Sequence, residues 1–189
     1  MTPVDVIYSE YLSIVSFLDS NQQPSLSSDV NRNFKKVIAF SSGSYFEHRI
    51  QDILIEFVSR ETNNSTLAIN FFKKKAIGMQ YHTYFSWGEK DDPSKFGKNA
   101  NTFFSLFGDD FKKQVEAEIK ESPDLETAVK SFLEIGHLRN ILAHSNFAAY
   151  DIENRTANEI FELYQKGLPF ITYVERKLAG LPWTRTTQV

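Results

Sequence analysis

Apolar residues recur along this chain at intervals of three and four, the spacing of helices that bury one side. Val4, Ile7, Tyr8, Tyr11, Val15 and Leu18 predict an amphipathic helix over residues 3–19. The polar stretch SNQQPSLSSD follows, where Ser27, Ser28 or Asp29 is suited to cap a second helix. That helix is expected to reach about residue 60, burying Phe46, Ile50, Ile53, Leu54 and Phe57, with the SSGS run at 41–44 as a point of bending. TLAINFFKKKAI predicts a third helix that ends at Gly78. Residues 78–98, with Pro93, EKDD and several aromatics, read as a long loop holding at most one helical turn. NANTFFSLFG and DDFKKQVEAEIK predict two shorter helices broken at Gly108.

The clearest helix start lies at Ser122, a capping residue followed by Pro123, with Asp124 and Glu126 in the first turn where the helix dipole favours carboxylates. A last helix from about Arg155 to Leu178 presents Ile160, Phe161, Tyr164, Leu168, Ile171 and Leu178, and Pro169 is expected to kink or restart it. No internal repeat, low-complexity tract or hairpin signal interrupts the pattern. The expected fold is an all-α bundle of five to seven helices, one domain over residues 1–180 with a tail at 181–189.

Composition narrows the function classes. The chain has 189 residues, enough for a sizeable core, with 41% hydrophobic and 14% aromatic residues and seventeen Phe. It has no cysteine, which removes disulfides, thiol catalysis and thiolate metal sites. No apolar run reaches the ~18 residues of a membrane span. The start MTPVDVIYSEYL lacks the features of a secretory signal. A soluble, cytoplasmic protein without membrane partners is the expectation. A net charge of −3 argues against broad non-specific nucleic-acid binding but leaves room for a local basic patch. The four histidines form neither a His-x3-His nor an HExxH pattern, so no metal site is expected, and no phosphate loop or other cofactor motif is present.

One stretch carries chemistry: LRNILAHSNF, Leu138 to Phe147, places Arg139, Asn140 and His144 near the end of an otherwise apolar helix. At about 100° per residue, Asn140 and His144 lie within ~40° of one another, and His137, one heptad back, is ~20° from His144. His137, Asn140 and His144 therefore form a polar stripe. Arg139 is ~140° from His144, too far round for both to address one small point rigidly. Gly136 and Ala143, also a heptad apart, flank the stripe and suit close approach of a second copy across a two-fold axis. A purely structural reading is also open: His144 as a dipole partner at a helix end, and Arg139 as ion-pair donor to Glu134 or Glu47. A second feature is the KKK at 73–75, near the aromatic-rich MQYHTYFSW. It reads either as a solvated helix end followed by core rings, the favoured view, or as a charge-and-stacking surface for single-stranded RNA.

The hexapeptide RNILAH, with four residues between Arg139 and His144, resembles the R-x4–6-H motif of the HEPN superfamily, whose motif commonly opens with Arg-Asn. SSGSYFEHRIQDIL is similar to the first core helix of the RiboL-PSP-HEPN branch, where an acidic residue such as Glu47 stands toward the active site. GKNANTFFSLFGDDF resembles the segment before the motif helix, and RTANEIFELYQKGLPFITYVERKL the closing helix; the likeness spans roughly residues 30–180. It implies a metal-independent endoribonuclease of defence, toxin or stress-response type, active on RNA as a homodimer with a composite site at the interface. By the same resemblance His144 is general acid or base, Arg139 the phosphate ligand, Asn140 an orienting amide and Glu47 a positioning partner, with an antitoxin or regulatory protein as a further partner. Two departures stand out. Asn146 occupies the position two after the histidine where nucleotidyltransferase-silenced HEPN toxins often carry tyrosine, and His137 lies outside the motif. The superfamily also includes members that bind RNA or protein without cutting.

Overall fold

A computed structural model describes residues 1–88, 98–152 and 155–183. Its helices are α1 (Pro3–Ser20), α2 (Pro24–Glu61), α3 (Thr66–Phe72), a π-helical turn (Lys73–Ile77), α4 (Gly78–Tyr84), α5 (Asn101–Ser105), α6 (Asp109–Glu121), α7 (Pro123–His144) and α8 (Ala157–Leu178). Because α3, the π turn and α4 follow one another without a gap, the described residues form seven helical runs in an all-α bundle. Among them the only strand-like feature is a bridge between Ser86 and Asn99.

Local chemistry explains most boundaries. Thr2 and Asp5 form a reciprocal capping box at the start of α1, and Thr156 with Glu159 repeats it at α8. Ser122 caps α7 through Leu125 N–H, and Pro123 stands inside the first turn as its fixed φ favours. The second helix departs from expectation: it begins at Pro24 rather than after the serines, because a proline in the first turn forfeits an N–H that would lack a helical acceptor anyway. It also passes through SSGS as one α-helical run. Pro169 restarts nothing; α8 is one helix across it, its neighbours held by buried Gly167, Phe170 and Ile171.

The other correction concerns residues 78–98. Helix continues to Tyr84, and Tyr81, Tyr84 and Phe85 are buried while Trp87 packs against the core. Burial of three rings, with Trp87 packed on them, outweighs the weak propensity of the segment, as tertiary packing commonly does. Pro93 and EKDD lie outside the described residues.

The core joins α2, α7 and α8, with α1 laid on α2. Phe46 of α2, Phe132 of α7 and Phe170 and Tyr164 of α8 stack at centroid distances of 4.7–5.3 Å. Gly167 makes this possible, since a Cβ there would come 2.9 Å from Phe46 Cζ. The Tyr164 hydroxyl escapes an unpaired burial by donating to Thr2 Oγ1 at 2.8 Å, which locks the α1 cap to α8. No helix among the described residues is long and apolar enough to cross a membrane.

Candidate active site

Helix α7 meets α2 where Gly43 faces Arg139. A side chain at Gly43 would overlap Arg139 Cβ and Cγ, so the missing Cβ is what lets the arginine lie flat on α2. The guanidinium then turns along α2 to Glu47, Nη2 to Oε2 2.6 Å, and passes over the Phe40 ring at 5.9 Å. Both partners keep about a quarter of their side-chain surface exposed, so the pair borders solvent rather than sitting in the core. Arg139 Nε is buried and, among the described residues, has no hydrogen-bond partner. Glu47 accepts a long bond from Gln51 Nε2, 3.4 Å. Of the two acidic partners open in the sequence, Arg139 takes Glu47; Glu134 pairs instead with Lys98 and with Arg155.

Tyr81 of α4, a buried ring, lies within electrostatic reach of this pair. Burial pushes its hydroxyl well above the ordinary tyrosine range, and the Glu47 charge adds to this while Arg139 opposes it.

His144 is the last residue of α7 and is exposed, its side chain making no hydrogen bond or ion pair to another described residue. The loop behind it is firmly held. Lys36 Nζ, on a nearly buried side chain, donates to the carbonyls of Phe147 (3.1 Å) and Ala148 (3.5 Å) and lies 5.3 Å from the Phe147 ring centre. Lys35 Nζ donates to Ile152 carbonyl at 2.6 Å and pairs with Asp151 at 2.7 Å. Phe147 meets Phe40 edge to face at 6.4 Å. Lys36, Phe40, Gly43 and Glu47 thus form one stripe of α2, spaced i, i+4, i+7 and i+11, that binds both Arg139 and the segment after His144. Sequence reading missed three of these four, although that spacing is the signal that could have revealed them.

The remaining polar positions scatter. Asn140 is half-buried beside Arg139 in sequence. His137 lines a crevice of about 480 Å³ with Glu134, Ile141, Tyr150 and Arg155, which includes neither Asn140 nor His144. The small-residue argument for α7 is half overturned: Gly136 is covered by Trp87, whose ring occupies the space of a Cβ, while Ala143 is exposed. Gly136 therefore serves internal packing and is closed to a second copy. Among the described residues no three His, Asp or Glu side chains stand together as a metal-binding group.

Within one chain, then, an arginine–carboxylate pair and a solvent-facing histidine lie on different sides of α7. The arrangement can offer a planar cation to a phosphate and an imidazole to a proton, from separate directions. In comparisons with known proteins, a family model described as RiboL-PSP-HEPN matches residues 6–180. No curated protein and no solved structure gives a match.

Proposed function

Because the chain belongs to the RiboL-PSP-HEPN family, whose HEPN domains serve as nucleases or RNA-binding modules, we propose that it is a metal-independent endoribonuclease. The observation that carries the reading is the pairing of Arg139 with Glu47 across two helices while His144 stays exposed at the end of the same α7.

The chemistry follows from those groups. His144 as a neutral imidazole takes the proton of an RNA 2′-hydroxyl, whose oxygen attacks the adjacent phosphorus. Arg139 holds the non-bridging oxygens and offsets the charge that grows on the phosphorane. The 5′-oxygen leaves with a proton, and the products are a 2′,3′-cyclic phosphate and a 5′-hydroxyl. One histidine cannot be base and acid in the same step, and Arg139 points away from His144 around the helix. A homodimer supplies both missing parts, with the second copy's His144 as acid and Asn140 orienting the substrate or imidazole. Glu47 keeps the guanidinium extended, and His137 contributes an outer RNA contact from its crevice. A prokaryotic defence, toxin or stress-response role, a cytoplasmic location and regulation by an antitoxin or other protein accompany this reading.

A catalytically idle module that binds RNA or a protein partner is the second reading. It draws on the Glu47 ion pair, which already occupies one edge of the guanidinium. Purified protein incubated with RNA in EDTA separates the two. The ribonuclease reading expects cleavage that survives the chelator, yields cyclic phosphate ends and disappears in both His144→Ala and Arg139→Ala. Because both copies' His144 take part, mixing His144→Ala protein into the wild type should lower activity by more than the loss of wild-type chains if the site is shared between copies. No cleavage by the wild type, with a stable dimer in solution, supports the idle module, and activity lost to EDTA sinks the mechanism.

A further inference from the structure

The three lysines at 73–75 do not lie at a helix end. They occupy the π turn between α3 and α4, and all three are exposed. Helix α3 buries none of its residues. Ala68 and Ile69 are half-buried, whereas Leu67 is 85% exposed, Phe71 62% and Phe72 40%, and Met79 of α4 66%. Leu67, Phe71, Lys75 and Met79 are each four residues apart, so they follow one another along neighbouring turns. Phe71 and Phe72 present their rings at 85° to each other, centroids 5.7 Å apart. None of the three lysines has an ion-pair partner among the described residues, whereas most other lysines of the chain do.

These observations revise one half of the favoured reading of the region, the solvated helix end, and keep the other. The rings of MQYHTYFSW are core, as the favoured view had it, but Phe71 and Phe72 before the lysines are not. In a chain of net charge −3, three adjacent cations stand without an ion-pair partner among the described residues, beside two exposed rings. That mixture suits a polymer that alternates a flat base with a phosphate, since rings stack on any base and ammonium groups neutralise the backbone. A folded protein partner would have to meet the same strip with carboxylates and apolar groups in a fixed pattern, a narrower requirement. π turns inside α-helices are frequent at functional sites, and here the turn sets the exposed lysines against a buried Ile77 and Tyr81.

The strip also lies on the run of helix that leads to the candidate site. Helices α3 and α4 run back along the C-terminal half of α2, and Tyr81 comes within electrostatic reach of Glu47 and Arg139. Lys74 precedes Tyr81 by seven residues, ~10 Å along the helix. We propose that Phe71, Phe72 and Lys73 to Lys75 form a single-stranded RNA track that holds the strand flanking the scissile phosphate at Arg139. The proposal rests on the ribonuclease reading for its orientation, and its binding test is independent of cutting.

The test uses a fluorescently labelled, fully 2′-O-methylated RNA of about ten nucleotides, which lacks the attacking hydroxyl, and fluorescence anisotropy over a salt series. Replacing all three lysines (K73Q/K74Q/K75Q) should weaken binding at least tenfold at low salt. It should also reduce the slope of log affinity against log salt by ~2, from ~0.7 per neutralised phosphate on a single strand. The F71A/F72A variant should weaken binding about tenfold or more while leaving the slope unchanged. Lys113→Gln, on an exposed part of α6, serves as the control for loss of charge elsewhere. Wild-type affinity and slope in both variants overturn the track even if the enzyme cuts RNA. A lysine-dependent slope in a protein that cuts nothing supports the track and removes the ribonuclease reading instead. Absence of RNA binding by the wild type, with the lysine variant changed only in oligomeric state, overturns the track in favour of a protein-docking face.

Discussion

Arg139 is the residue on which local and functional demands meet. Its side chain is held by Glu47 on one edge and lies over Phe40, yet its Nε is buried without a partner among the described residues. Such a group has a large stake in its one carboxylate, because removing that acceptor strands a half-buried cation. Glu47→Gln should therefore destabilise the fold by about 1–2 kcal/mol, between the limits for exposed and fully buried pairs, in urea unfolding. Arg139→Ala strands the Glu47 carboxylate in the same way and removes the packing on Phe40, so it should cost at least as much stability as Glu47→Gln while abolishing cleavage. A stability loss near zero for Glu47→Gln would show that the pair is a surface contact, without weight in the fold.

At the scale of elements, two glycines decide how α7 sits. Gly43 lets Arg139 approach α2, and Gly136 lets Trp87 cover α7. The sequence places Gly136 and Ala143 a heptad apart and so suggests a single small-residue face. The structure divides them, one buried under an aromatic ring and one exposed. Gly136→Ala should cost about 1–3 kcal/mol from overpacking, because a rigid indole core neighbour cannot yield cheaply. Ala143→Leu should change monomer stability by under about 0.5 kcal/mol, as surface substitutions usually do. Chemical denaturation of both variants checks the contrast, and equal costs would mean that Ala143 is as confined as Gly136. The loop after His144 is held both by its own turn, in which Asn146 Oδ1 accepts from the N–H groups of Ala148 and Ala149, and by Lys35 and Lys36 reaching it from α2.

For the whole molecule, the expected acid response rests on two carboxylates that join distant elements. The hydrogen bond from Lys35 holds Asp151 below the usual carboxylate range. Glu118 is pushed up by burial, but hydrogen bonds from Lys177 and Tyr173 outweigh this and leave it lowered. A carboxylate with a depressed folded-state value adds stability above its unfolded value, and this is lost as pH falls through the folded one. The loss should begin near pH 4, the ordinary carboxylate range, and continue below it. Melting temperatures measured from pH 7 to pH 3 should fall less steeply in Asp151→Asn/Glu118→Gln than in the wild type, which starts higher at neutral pH. A parallel decline in the two proteins would locate the acid response elsewhere.

The sequence by itself determined what depends on neighbours within a turn or two. The all-α class, the Ser122 and Pro123 start of α7, the apolar sides of α2 and α8, and the motif Arg139 to His144 with its ~140° separation all follow from helical period and capping chemistry. Tertiary structure decided what depends on groups far apart along the chain. It chose Glu47 over Glu134 for Arg139, assigned Gly136 to Trp87, and carried the chain helically to Tyr84 because the rings there found a core. It also left Phe71, Phe72 and three lysines in solvent. The physical reason is the same in each case: periodicity shows that a face will be buried or exposed, whereas the partner it meets is fixed only when helices pack.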